Sequence, residues 1–201
     1  MPRIAGLHWL RIRLFIGIAL ADAVVRELKS ATARLRSSAG SASNALHWTL
    51  PDSWHMTLQF LGNATPAQFA CLTAHLATVR SAPVPVELGA LGCFDRAGVF
   101  LADVLPAPAL AALAQRIGAA TAHCGFVAES RPFHPHITLA RAKGHGRGAG
   151  LRVLAAGIHN QRPFSRFTAR EFLLYESHLN AGGAQYEVRA RFPLDGPRSQ
   201  V

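Results

Sequence analysis

Residues 54–61 read Trp54-His55-Met56-Thr57-Leu58-Gln59-Phe60-Leu61, and residues 133–141 read Phe133-His134-Pro135-His136-Ile137-Thr138-Leu139-Ala140-Arg141. Both contain His-x-Thr-Leu, and the two histidines lie 81 residues apart. In a strand, side chains two positions apart share a face. His55, Thr57 and Gln59 are therefore expected on one face, with Met56, Leu58 and Phe60 on the other. His136 and Thr138 likewise oppose Ile137 and Leu139. The apolar faces would cover a core and the His/Thr faces would look into a cleft.

This residue set suits phosphate chemistry. An imidazole can give or take a proton near neutral pH. A threonine hydroxyl can donate to a phosphate oxygen. Two such strands facing each other supply an acid, a base and two oxygen donors, the set that in-line displacement at phosphorus needs. One copy alone would be an ordinary strand; the repetition carries the signal.

Outward from these strands, the pattern alternates between helix and sheet. Residues 13–20 read as a strand and 22–36 as a helix with Asp22 as N-cap. Ser37 to Asn44 is small and polar, hence a loop. Residues 45–50 and 54–61 read as strands around Pro51-Asp52. Thr65-Pro66 opens a helix to about Arg80. Residues 84–94 and 98–105 form a hairpin turning at Asp95–Gly98. Pro108 opens a helix to about Cys124. Residues 136–141 are a strand, Lys143 to Gly150 a basic, glycine-rich loop, and 167–178 with 185–193 a second hairpin. This mixture argues α+β with antiparallel sheet rather than a doubly wound nucleotide fold. Neither GxGxxG nor GxxxxGK[ST] occurs, so the usual phosphate-cradling loops are absent.

Composition supports an anionic partner. The 201 residues include 21 Lys+Arg against 11 Asp+Glu, a formal net charge of +10. Only Lys29 and Lys143 are lysine, and arginine's planar fork suits phosphate. Half the residues are hydrophobic and 16% are charged, which excludes intrinsic disorder. The three cysteines, Cys71, Cys93 and Cys124, form no CxxC pair, so three reduced thiols in a cytoplasmic protein are expected. Arg11 and Arg13 ahead of Leu14–Leu20 resemble a short secretory signal, but a buried first strand reads the same way and is preferred. No segment approaches a membrane span.

At these residues the chain resembles the 2H phosphoesterases, and within them the RNA 2′,3′-cyclic phosphodiesterases, also called 2′-5′ RNA ligase-like proteins. The resemblance runs over about residues 13–193. It includes Arg13–Ile18, Trp54–Gly62, Arg131–Arg141 and Glu171–Ser177. It implies two pseudo-symmetric lobes, with antiparallel sheets lining a central cleft and helices outside. It implies metal-independent hydrolysis of a terminal RNA 2′,3′-cyclic phosphate to a 2′-phosphomonoester, with no cofactor. His55 would be the proton donor and His136 the proton acceptor, with Thr57 and Thr138 holding phosphate oxygens. The motifs alone do not order these roles. The partner would be RNA ends carrying a 2′,3′-cyclic phosphate, tRNA-like or other, met by a monomer. One alternative is a small cyclic phosphate, either a cyclic nucleotide or ADP-ribose cyclic phosphate. Another is a non-catalytic RNA-end-binding module.

Further substrate contacts are expected from Arg141, Arg131, Trp54 and Phe133, the aromatics by stacking on a base. Strict alternation puts Arg141 on the face opposite His136, so it reaches the cleft only if the strand ends or twists first. His134-Pro135-His136 lacks the extra His and Asp ligands of a metallohydrolase, so no metal is assigned. The other histidines default to solvated or structural roles. The expected layout is a leader over 1–12, one bilobal domain over 13–195 and a tail over 196–201.

Overall fold

The computed structural model describes residues 11–127, 132–143, 148–158, 163–180 and 183–196. Ten strands and four α-helices follow in the order β1 (Ile12–Ala19), α1 (Asp22–Ala39), β2 (Leu46–Trp48), β3 (His55–Ala64), α2 (Pro66–Leu76), β4 (Val84–Val86), β5 (Leu88–Phe94), β6 (Val99–Val104), α3 (Pro108–Ala122), β7 (His136–Ala142), α4 (Ala149–Ala156), β8 (Phe167–Ala169), β9 (Glu171–Asn180) and β10 (Gly183–Pro193). Eight strands make one sheet in the order β10-β9-β1-β3-β7-β6-β5, with β2 also on β7; β4 and β8 form a separate pair. Every pairing is antiparallel.

The two motif strands meet at the centre through one pair, Met56 opposite Ile137. These are the second residues of the two motifs. An antiparallel contact between equivalent residues places a pseudo-twofold axis between them. One lobe is then β10-β9-β1-β3 and the other β7-β6-β5 with β2. The fold is α+β, as the pattern implied, and two-lobed, as the resemblance implied.

The sheet has a packed face and an open one. Leu14, Ile16 and Ile18 of β1 join the main core with Met56, Ile137 and Leu139, covered by Leu28 of α1, Leu72 of α2, Leu113 of α3 and Leu154 of α4. Phe15 points the other way and packs with Leu173, Tyr175 and Tyr186. The run Leu14–Ile18 is thus a strand held between β3 and β9.

Local signals explain some element boundaries. Thr65 caps α2 in a reciprocal capping box with Gln68, and Pro66 sits at the first turn. Gly98 closes the β5–β6 turn in the left-handed region at φ 66°. Asp22 is not the cap of α1; Ala21 holds that position, and Asp22 lies in the first turn, where a carboxylate favours the helix dipole. Residues 40–45 form a 3₁₀ turn rather than an open loop. The glycine-rich stretch gives way at Ala149 to α4, which the sequence pattern did not suggest, and whose Leu151 and Leu154 are fully buried. His145 and Arg147 lie outside the described residues.

The cysteine expectation is corrected. Cys71 and Cys124 are disulfide-bonded, 53 residues apart in sequence, with Cα atoms 5.7 Å apart. Only Cys93 is free. Sequence spacing hid the pair because α2 and α3 pack side by side. Among the described residues no helix is long and apolar enough to cross a membrane.

Candidate active site

The two motif histidines are held alike. His55 Nδ1 is 2.8 Å from the Ser53 carbonyl, and His136 Nδ1 is 2.8 Å from the His134 carbonyl. A carbonyl oxygen only accepts, so each Nδ1 carries the proton and donates. That fixes both tautomers and leaves each Nε2 as the working nitrogen. Thr57 and Thr138 sit half-buried two residues along, on the same face as their histidines.

Both strands then break their alternation at the same place. Thr57 pairs with Gly17 but Gln59 with Ile16, leaving Leu58 as an extra residue. Thr138 pairs with Leu101 but Ala140 with Phe100, leaving Leu139 extra. A bulge of this kind reverses the facing of the residues beyond it. Gln59 is consequently buried rather than beside Thr57, and its Oε1 accepts a hydrogen bond from Thr121 Oγ1 at 2.9 Å. Phe60 turns out, 62% exposed, within 6.1 Å of the Phe15 ring. On β7 the bulge carries Arg141 to the His136 face, resolving the conflict that strict alternation created. Its positive charge lowers the proton affinity of both His55 and His136, as a guanidinium near both imidazoles would.

The surroundings of the two imidazoles differ. His55 packs against Phe15 at 4.5 Å, Tyr186 at 5.0 Å and Tyr175 at 5.7 Å between ring centres. Burial pushes its pKa down to about 4, opposed by the Ser53 carbonyl and reinforced by His136 and Arg141. His136 meets Phe94 edge-on at 5.1 Å. Its pKa is also lowered, first by burial and then by His134 and Arg141, while the His134 carbonyl and Asp103 oppose the shift. His134 Nε2 lies 3.1 Å from Asp103 Oδ1, so that ring pairs with a carboxylate beside the cleft. The metal reading of His134-Pro135-His136 gains nothing from this pairing.

A sequence profile described as the 2′-5′ RNA ligase superfamily matches residues 19–181. This chain belongs to that superfamily, the 2H phosphoesterases. The RNA 2′,3′-cyclic phosphodiesterase of Bacillus subtilis is 31% identical over 73% of this chain and 80% of its own length. That of Geobacillus stearothermophilus is 33% identical over 92% of this chain, which spans only 58% of that relative's length. The crystal structure of Escherichia coli LigT complexed with 3′-AMP superposes with a TM-score of 0.72 at 25% identity, covering 92% of this chain and 98% of that one.

Among the expected contacts of this superfamily member, His55, Thr57, His136, Thr138 and Arg141 come together on one face. Trp54 does not. It is 6% exposed and belongs to the main core, so base stacking is corrected to packing. Its position one residue before His55 points it to the apolar side of the sheet. Phe133 is part-exposed and lines a separate cavity of about 520 Å³ with Pro106, Ala107, Leu110 and Pro135. Arg131 lies outside the described residues.

The sequence reading missed the aromatic wall of Phe15, Tyr175 and Tyr186. Phe15 and Gly17 alternate with Leu14, Ile16 and Ile18, a period-2 signal lost because both faces of β1 are apolar or small. Gly17 is a packing requirement. A Cβ there would lie 2.8 Å from the Met56 carbonyl oxygen and 3.5 Å from His55 Cδ2. Backbone cannot move aside as a side chain could, so only glycine lets β1 approach the motif strand β3 at this point.

Proposed function

We propose that this protein hydrolyses a terminal RNA 2′,3′-cyclic phosphate to a 2′-phosphomonoester, without metal. The observation that carries the reading is the matched pair of histidines, each tied by Nδ1 to a carbonyl two residues earlier, related by the axis through Met56 and Ile137. The kinship with RNA 2′,3′-cyclic phosphodiesterases supports the choice of substrate.

In the step itself, His136 Nε2 takes a proton from water as the water oxygen bonds to phosphorus. The bond from phosphorus to the 3′-oxygen breaks, and His55 Nε2 protonates that oxygen. The 2′-ester bond stays intact. Thr57, Thr138 and Arg141 donate to the phosphate oxygens as charge builds on them. In the free protein both imidazoles favour the neutral form, His55 the more buried. The donor role therefore rests on the bound anion, whose negative charge restores proton affinity to His55. One chain supplies both histidines, so a monomer suffices. Arg13 and Arg141, whose charges both act on Tyr186, are suited to the RNA backbone near the cleft.

Incubation with an oligonucleotide ending in a 2′,3′-cyclic phosphate tests the reading. A 2′-phosphomonoester is expected, unchanged in rate by a chelator. A 3′-phosphomonoester or no turnover contradicts it. A parallel panel of 2′,3′-cyclic nucleotides and ADP-ribose cyclic phosphate, turned over faster than RNA, would move the assignment to small substrates.

A further inference from the structure

On the packed side of the sheet, away from the cleft, α2 and the end of α3 bring a second group of reactive side chains together. Cys71 and His75 are four residues apart on α2, hence one turn apart on one face. Cys124 follows α3, placed there by the helix end, where Cys124 N donates to Thr121 O at 2.9 Å and Gly125 takes a φ of 82°. One ligand atom from each of Cys71, His75 and Cys124 lies within 4.8 Å of the others. The ring of His123 stacks parallel on that of His75, 4.9 Å between centres.

We propose that Cys71, Cys124 and His75, with His123 or water as fourth ligand, form a site for one thiophilic cation of the zinc type when the disulfide is reduced. The ligand set is two sulfurs and one or two imidazoles, which zinc takes in tetrahedral geometry with bonds of about 2.0–2.3 Å. Such bonds set ligand atoms roughly 3.3–3.8 Å apart, a spacing that side-chain rotation reaches from the present cluster. The disulfide and the metal are alternatives. A thiol reductant supplies two electrons and is itself oxidised to a disulfide; Cys71 and Cys124 become thiols. The cation then displaces two protons to bind two thiolates. Either state joins α2 to α3, and a cytoplasmic location would favour the reduced one. The clip also borders the catalytic strand, since Thr121, three residues before Cys124, holds Gln59 of β3.

The test uses the full chain, reduced with a phosphine, stripped with chelator, freed of both without air and titrated with Co²⁺. The expected result is one equivalent bound, with sulfur-to-cobalt charge-transfer absorption and tetrahedral visible bands, both abolished by Zn²⁺. The oxidised protein should bind none. Cys71→Ser should lose the charge-transfer signal. His75→Asn keeps both cysteines, so re-formation of its disulfide certifies its fold; its affinity should fall more than about 100-fold. Absence of stoichiometric uptake by the reduced protein overturns the proposal. So does equal binding by the oxidised protein, or wild-type affinity in His75→Asn. These readouts do not involve phosphodiester turnover.

Discussion

The two motif strands, β3 and β7, are near copies whose surroundings differ. Both start with a histidine tied by Nδ1 to a carbonyl two residues back, and both bulge after the third residue. Yet the fifth residue after the histidine is Phe60 in one and Arg141 in the other. The wall beside His55 is aromatic, whereas His136 stands near the His134–Asp103 pair. The shared features suit the proposed proton transfer, which requires equivalent groups on both sides of phosphorus. The differences make the two sides inequivalent. An aromatic surface on one side offers a place for a base, and a guanidinium on the other offers a place for the phosphate.

The largest expected effect comes from breaking what the lobes share. His55→Ala and His136→Ala should each lower kcat by about 10²–10⁴-fold, the range for a lost general acid or base. Circular dichroism and the thermal midpoint should stay near wild type. Near wild-type turnover in either variant would end the two-histidine account.

Breaking the difference should cost less. Arg141→Gln removes a charge-assisted contact and should lower kcat/KM roughly 10–100-fold. Phe60→Ala should act mainly on KM, by about 10-fold, as a lost stacking surface would. If the two variants give the same kcat and KM pattern, the asymmetry between the lobes is decorative. Arg141→Gln should also move the pH profile. Both histidines have lowered proton affinity, so the kcat/KM optimum of wild type should lie below a histidine's ordinary value of about 6.5. Removing the guanidinium takes away a cation that disfavours imidazolium, and both limbs should shift to higher pH. An unchanged profile would place Arg141 away from the cleft.

The smallest effect expected is on stability. Gly17→Ala forces a methyl group against the Met56 carbonyl and should destabilise by about 1–3 kcal/mol. Because the strain falls beside His55, kcat should drop as well, measured against denaturant midpoints. An unchanged midpoint would mean that β1 and β3 can separate there freely.

Legibility in the sequence tracks the range of each signal. The alternation of His, Thr and apolar residues is local, so His55, Thr57, His136 and Thr138 could be placed from the chain alone. The capping box at Thr65 and the turn at Gly98 are equally local. The bulges were not legible, because an extra residue shows only against its partner strand. That single feature misplaced Gln59 and left Arg141 on the wrong face. Trp54 looked like a stacking residue because it adjoins the motif histidine His55, but strand geometry turns it to the core. The Cys71–Cys124 pair, and the contacts of Phe15 with Tyr175 and Tyr186, join residues more than fifty positions apart, and only packing brings them together.

The central claim is the division of labour between the matched histidines. It is tested most directly with a cyclic-phosphate substrate whose 3′-oxygen is replaced by sulfur, since a thiolate leaves without needing a proton. The predicted result is that His55→Ala recovers most of its lost rate on the sulfur substrate, relative to wild type, while His136→Ala does not. Equal losses in both variants, or recovery by His136→Ala alone, would contradict it.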